Sequence, residues 1–151
     1  MKEKMVDNST VTQIAILVHD IEKSCEEFAA FLGVETPGHI VTGPIEQTKG
    51  EYLGKPSDAR AKLAFIHVGG NLTIELIEPD EKPSVWRDCL NKNGEGVHHI
   101  AFVIKGMKEH IVRMEANGYP LLQKGEYEGG RYAYIDTTRT LKTLVELLEN
   151  D

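Results

Sequence analysis

Two histidines open an apolar run in Gly94-Glu95-Gly96-Val97-His98-His99-Ile100-Ala101-Phe102-Val103-Ile104. Histidine is the commonest metal ligand and titrates near neutral pH, so metal binding and general acid/base chemistry are both open to it. Side chains alternate between faces along a strand. His99 is therefore expected to face with Ala101 and Val103, His98 to face the other way with Ile100 and Phe102, and the two not to share a site. Two glutamates also interrupt apolar runs, Glu75 in Leu72-Thr73-Ile74-Glu75-Leu76-Ile77 and Glu146 in Leu144-Val145-Glu146-Leu147-Leu148. A carboxylate in mid-sheet is costly to bury unless a cation or hydrogen bonds compensate it. Taken singly, each signal has a bland counterpart: solvated histidines at a strand start, or a strand with one wet face.

The elements that carry these residues repeat. Gln13-Ile14-Ala15-Ile16-Leu17-Val18 reads as a strand. Asp20 follows as an N-cap, Ile21, Cys25, Phe28, Ala29 and Leu32 recur at helical spacing, and Gly33 ends the helix. From His99 the order recurs as strand, a turn at Lys105-Gly106, a helical face of Met107, Ile111 and Met114, and a closing Gly118. Gln13 and His99 stand 86 residues apart, and Gly33 and Gly118 85. Ile74-Glu75-Leu76-Ile77-Glu78 matches Val145-Glu146-Leu147-Leu148-Glu149 in the same way. The repeat is strand, helix, three strands. Gln13 and His99 thus occupy equivalent places, as do Glu75 and Glu146, which weakens the bland readings of all four.

Between the halves, Lys62 to Val68 and Leu72 to Ile77 read as strands joined by a Gly69-Gly70-Asn71 hairpin turn. Ile40-Val41 reads as a brief strand followed by a long polar loop to Ala61, and loops of that length in compact domains are usually functional. Val85, Trp86, Cys89 and Leu90 suggest a short helix leading to Gly94. The expected organisation is a flexible N-terminus over 1–10 and a single domain over 11–151, with module one at 11–80, a connector at 81–95 and module two at 96–151. Its class is α+β, two tandem βαβββ modules forming a cupped mixed β-sheet with helices outside.

Composition bounds the function. Asp and Glu outnumber Lys and Arg by 24 to 17, a formal charge of -7, which argues against nonspecific nucleic-acid binding because that needs a basic face. Cys25 and Cys89 show no metal spacing or disulfide framework. Met1 to Thr10 is polar, and no run approaches the roughly 20 apolar residues of a membrane span. A cytoplasmic protein with no membrane or nucleic-acid partner is expected.

The pattern from Gln13 to Glu149 resembles the vicinal oxygen chelate superfamily, which includes glyoxalase I, methylmalonyl-CoA epimerase, extradiol dioxygenases and bleomycin-resistance proteins. The resemblance implies one divalent metal per chain (Zn, Ni, Co, Mn or Mg), held by Gln13, Glu75, His99 and Glu146, two ligands from each module's first and last strands. That set lacks the two-histidine, one-carboxylate character of the iron dioxygenases, and all four positions carry competent donors, unlike those of bleomycin-resistance proteins. Ile74-Glu-Leu-Ile-Glu-Pro79, Pro83-Ser-Val-Trp86 and Gly94-Glu-Gly-Val-His-His-Ile-Ala-Phe102 look most like methylmalonyl-CoA epimerase, whereas the ligand set is like that of one class of glyoxalase I. Departures are Gln13 where epimerases usually have His, and Leu141-Lys-Thr143 before the last strand.

By that resemblance the chain is an epimerase-like isomerase that shifts a proton α to a thioester carbonyl through a metal-stabilised enolate. The alternatives are a glyoxalase I-like lyase acting on a thiol adduct and a metal-free small-molecule-binding protein. Glu146 is the expected ligand and proton shuttle, and Glu46, with Glu51 next, the expected second acid/base from the polar loop. The substrate is expected to be a small thioester or thiol adduct, and the protein a homodimer. Tyr132 and Tyr134 share a face, from which one could line the cavity, and Trp86 is expected to pack the connecting helix. His19, His39, His67 and His110 are expected at exposed or turn positions.

Overall fold

The structure, a computed structural model, describes residues 3–151. Its elements in order are β1 (Val11–Leu17), α1 (Ile21–Leu32), β2 (Ile40–Val41), α2 (Ile45–Thr48), β3 (Glu51–Tyr52), β4 (Lys55–Pro56), β5 (Ala61–His67), β6 (Thr73–Pro79), α3 (Val85–Asn93), β7 (Gly96–Val103), α4 (Met107–Ala116), β8 (Leu121–Tyr127), β9 (Gly130–Ile135), α5 (Thr138–Leu141) and β10 (Leu144–Asn150). All ten strands form one curled mixed sheet in the order β2-β5-β6-β1-β7-β10-β9-β8-β3-β4. This is the expected α+β architecture. The two first strands, β1 and β7, meet antiparallel at its centre, and each runs parallel to the last long strand of its own half, β6 or β10.

The registers repeat as the sequences do. Gln13 lies opposite Thr73 and Ala15 opposite Glu75; His99 lies opposite Leu144 and Ala101 opposite Glu146. Helices α1 and α4 pack on the convex side. Ile21 and Cys25 of α1 are buried against Ala64, Ile66 and Leu76, while Met107 and Met114 of α4 meet Ala133, Ile135 and Leu147. Asp20 caps α1 by accepting from the Lys23 N–H, and Gly33 ends it in the left-handed conformation.

Each half also ties its last strand to the start of its helix. Glu78 accepts from the Ile21 N–H, and Glu149 accepts from the Gly106 and Met107 N–H groups. The two glutamates of each I/V-E-L-I/L-E segment therefore do different jobs. Three residues apart in a strand they point to opposite faces, the first into the cup and the second onto a helix N-terminus, where a negative charge is favoured.

Two expectations need correction or completion. The polar loop after β2 is not structureless: it holds α2 and the β3–β4 hairpin, which reaches across to pair with β8 of the other half, Glu51 opposite Lys124 and Tyr52 opposite Gln123. Its two-residue turn has positive φ at both Leu53 and Gly54, the backbone a twisted hairpin needs. Of the N-terminal segment expected to be flexible, residues 1–2 lie outside the described residues. Met5 and Val6 pack against the α4 cluster, and Arg113 bonds the Met5 carbonyl and Asp7. His110 is buried rather than exposed. Its Nδ1 meets the Gly106 carbonyl at 2.9 Å and its Nε2 accepts from the Asp7 N–H at 3.2 Å, so both ring nitrogens are committed. Among the described residues no helix is long and apolar enough to cross a membrane.

Candidate functional site

The concave face of the sheet encloses a cavity of about 1130 Å³. Its floor is made by Gln13, Glu75 and Glu146; Trp86, Tyr132 and Tyr134 form one wall, and the segment from Ile40 to Glu51 contributes another. His99 lies beneath, fully buried. Gln13, Glu75 and Glu146, from β1, β6 and β10, thus line one cavity, and His99 of β7 lies against Glu146 beneath it.

Two β-bulges aim the first-strand residues. In the β1–β7 pairing, Val11 faces Phe102 and Gln13 faces Ala101, which leaves Thr12 as an extra residue; Ala15 faces His99 and Ile16 faces Val97, which leaves His98 extra. Thr12 and His98 stand one residue before Gln13 and His99, so the bulge itself is duplicated. A bulge bends its strand and re-aims a side chain. It also overturns the expected alternation: His98 and His99 do share a site, their Nδ1 atoms 2.8 Å apart and both rings against Tyr134, at centroid distances of 5.5 and 4.9 Å. Strict period-2 reasoning has no room for an inserted residue.

The polar atoms at the floor are buried and unpartnered. Gln13 Oε1, His99 Nε2 and Glu146 Oε2 have no hydrogen-bond partner. His99 Nε2 and Glu146 Oε2 lie 2.9 Å apart, at ion-pair distance, but out of line for a hydrogen bond. Glu75 is 6% exposed, and burial together with the nearby Glu146 charge pushes its carboxyl well above the usual carboxylate range. Burial and the adjacent His99 hold His98 down at about 3, so it is a neutral imidazole near pH 7. Tyr134 is raised by burial and then by Glu146 and Glu75, and burial carries Tyr132 up to about 12, so both stay protonated.

The wall is held by a hydrogen-bonded chain. The Trp86 indole N–H donates to the Tyr134 hydroxyl at 3.0 Å with the rings edge-on, and Gln123 donates to the Tyr132 hydroxyl while accepting from the Val85 N–H. Trp86 packs α3 into the core, as expected, and also faces the cavity. Gln123 and Thr12 carried no sequence signal, since a lone Gln or Thr in a strand is ordinary. Of the loop acids, Glu46 on α2 is exposed and off the cavity wall; Glu51 on β3 lines it and pairs with Lys124 at 3.3 Å.

The metal implied by the resemblance can be tested against these residues. Among the described residues, no three His, Cys, Asp or Glu side chains are gathered closely enough to hold an ion. The donor chemistry nevertheless fits one. Three unpartnered buried donor atoms and two neighbouring buried carboxylates at one floor make a set in which each member lacks what a divalent cation supplies.

Comparison with known proteins agrees with the architecture. The sequence model described as Glyoxalase/Bleomycin resistance protein/Dioxygenase superfamily matches residues 12–135. An uncharacterized protein of Bacillus subtilis, YqjC, is 30% identical over 95 residues, covering 61% of this chain and 67% of that protein. Among solved structures, methylmalonyl-CoA epimerase from Mycobacterium tuberculosis superposes with a TM-score of 0.65 at 21% identity, covering 99% of this chain and 93% of that one. A variant of the Streptomyces coelicolor methylmalonyl-CoA epimerase, in complex with 2-nitronate-propionyl-CoA, gives 0.65 at 24% identity, covering 95% and 99%.

Proposed function

The chain belongs to the glyoxalase/bleomycin resistance protein/dioxygenase superfamily, and from that premise we propose that it is a divalent-metal-dependent enzyme that moves a proton α to the carbonyl of a small thioester or thiol adduct. The observation that carries this reading is the trio of buried, unpartnered donor atoms, Gln13 Oε1, His99 Nε2 and Glu146 Oε2, beside the buried carboxyl of Glu75.

Gln13, Glu75, His99 and Glu146 would hold the ion. When bound there, a divalent metal polarises a carbonyl oxygen and stabilises the negative charge that grows on it as the α-proton leaves. Glu146 is the group that takes the proton: its Oε2 is free of hydrogen bonds and lies on the cavity floor. Tyr134 and Trp86 fix the wall beside it. If the reaction inverts a centre, a second acid/base must stand across the cavity. Glu46 is the loop glutamate favoured by the resemblance, and Glu51 is the one that lines the wall.

The test is metal content followed by α-proton exchange. Protein stripped and reloaded should hold close to one divalent ion per chain, and Glu75→Gln should weaken that binding while the chain stays folded. The loaded protein should exchange the α-protons of a propionyl thioester in D2O, with Glu146→Gln inactive. Unchanged affinity in Glu75→Gln would remove Glu75 from the site, and no exchange with metal bound would sink the proton-transfer reading. Turnover of a methylglyoxal hemithioacetal in place of exchange would favour the lyase. A metal-free binding protein is the second reading, favoured because among the described residues no three His, Cys, Asp or Glu side chains are grouped to hold an ion; failure to bind any ion after reloading would favour it.

A further inference from the structure

Every Asp, Glu, Lys, Arg or His on the cavity wall is an acid. Glu51, Glu75, Glu126, Glu128 and Glu146 line it, and none of the described lining residues is Lys or Arg. Two rim acids have lysine partners in solvent-exposed pairs that offset part of their charge, Glu51 with Lys124 at 3.3 Å and Glu126 with Lys49 at 3.6 Å. Arg60 and Lys62 are likewise engaged outside the cavity, with the Thr42 carbonyl and with Glu78. A divalent ion at the floor would offset Glu75 and Glu146, and Glu128 would still face the opening. The remaining surface is apolar and aromatic: Ile40, Leu63, Phe65, Trp86, Tyr132 and Tyr134.

From this wall we infer that the cavity takes an uncharged or cationic carbonyl compound with an apolar group, and discriminates against polyanionic carriers such as a CoA thioester. The rim carboxylates repel an approaching polyanion at low salt, and the formal -7 of the chain adds to that field. A polyanionic tail would find no guanidinium or ammonium on the cavity wall to replace its lost hydration, so its desolvation would go uncompensated. An uncharged ligand escapes this cost, and a cation gains from both the acids and the aromatic faces. The inference deepens the proton-transfer reading, on which it rests only for the carbonyl end of the ligand. It separates this chain from the neighbouring fold that was solved with 2-nitronate-propionyl-CoA.

Three thioesters that share a propionyl group and differ in the thiol decide it: propionyl-CoA (anionic), propionyl-N-acetylcysteamine (neutral) and propionylthiocholine (cationic). The protein has one tryptophan, and it lines the cavity, so Trp86 fluorescence reports binding with or without added metal. The neutral and cationic esters should bind at least about tenfold more tightly than propionyl-CoA at low salt, with the gap narrowing at high salt. Equal or tighter binding of propionyl-CoA would overturn the inference, and so would no binding by any of the three. α-Proton exchange in the same samples keeps the two readings apart. The expected binding order without exchange retires the proton-transfer reading alone, and exchange that favours the CoA ester retires the charge inference alone.

Discussion

His98 decides what His99 can do. The two Nδ1 atoms are 2.8 Å apart, so one ring must donate and the other accept. For His99 to offer a lone pair from Nε2, its proton must sit on Nδ1 and point at a neutral acceptor. Burial and the neighbouring His99 keep His98 neutral and fit for that part. Groups that orient a ligating imidazole in this way typically account for roughly 10- to 100-fold in metal affinity. His98→Phe should therefore weaken metal binding by about that factor, while keeping a ring against Tyr134. His98→Asn, whose side-chain oxygen sits near where Nδ1 was, should restore most of the loss. Equal loss in both, measured by calorimetric titration of the ion, would mean His98 only fills space. At this scale the sequence was informative about types and equivalences. Gln13, His99, Glu75 and Glu146 could be paired off by the repeat, because register survives duplication. The side His98 faces could not be read, because a bulge inserts one residue with no compositional mark.

Among the elements, the long strands and helices were legible because each has a continuous apolar period and a capping residue, as Asp20 and Gly33 show for α1. The β3–β4 hairpin was not. Its I′-type turn is Leu53-Gly54 in place of the Asn-Gly that would have announced it, and its partner β8 lies about 70 residues away in the chain. The capping of helices by the second glutamate of each repeat was also hidden, since a strand-end carboxylate looks solvated. It yields a pH prediction. The Gly106 N–H, then Arg131 and the Met107 N–H, hold the Glu149 carboxyl below its usual 4.5. A depressed carboxylate contributes stability that is fully present above the unfolded-state value and is lost as pH falls through the folded one. Glu149→Gln should thus cost about 1 kcal/mol at pH 7, the usual worth of a helix cap. The gap to the parent should close as pH drops below about 4. Urea melts at both ends of that range check it, and a gap independent of pH would show that the ionised carboxylate is not the source.

For the whole molecule, the repeat invites a picture of two halves that fold separately, and the packing argues otherwise. β1 and β7 join the halves by a full ladder at the centre of one sheet, and the β3–β4 hairpin carries first-half chain onto the edge of the second half. The core crosses the same boundary. Trp86 packs in one cluster with Ala15, Leu17 and Ile77 from the first half and Tyr134 and Leu144 from the second. Neither half alone could cover its cup-side face or pair its central strand, and an uncovered central strand is a strong aggregation template. Unfolding should therefore be a single cooperative event. In a urea titration, Trp86 fluorescence, which senses the junction, should share its midpoint with far-UV circular dichroism, which averages over both halves. An early fluorescence transition with the dichroism retained would mean that the halves part before they melt. The floor residues, contributed two by each half, would then be assembled by docking of the halves, not by folding within them.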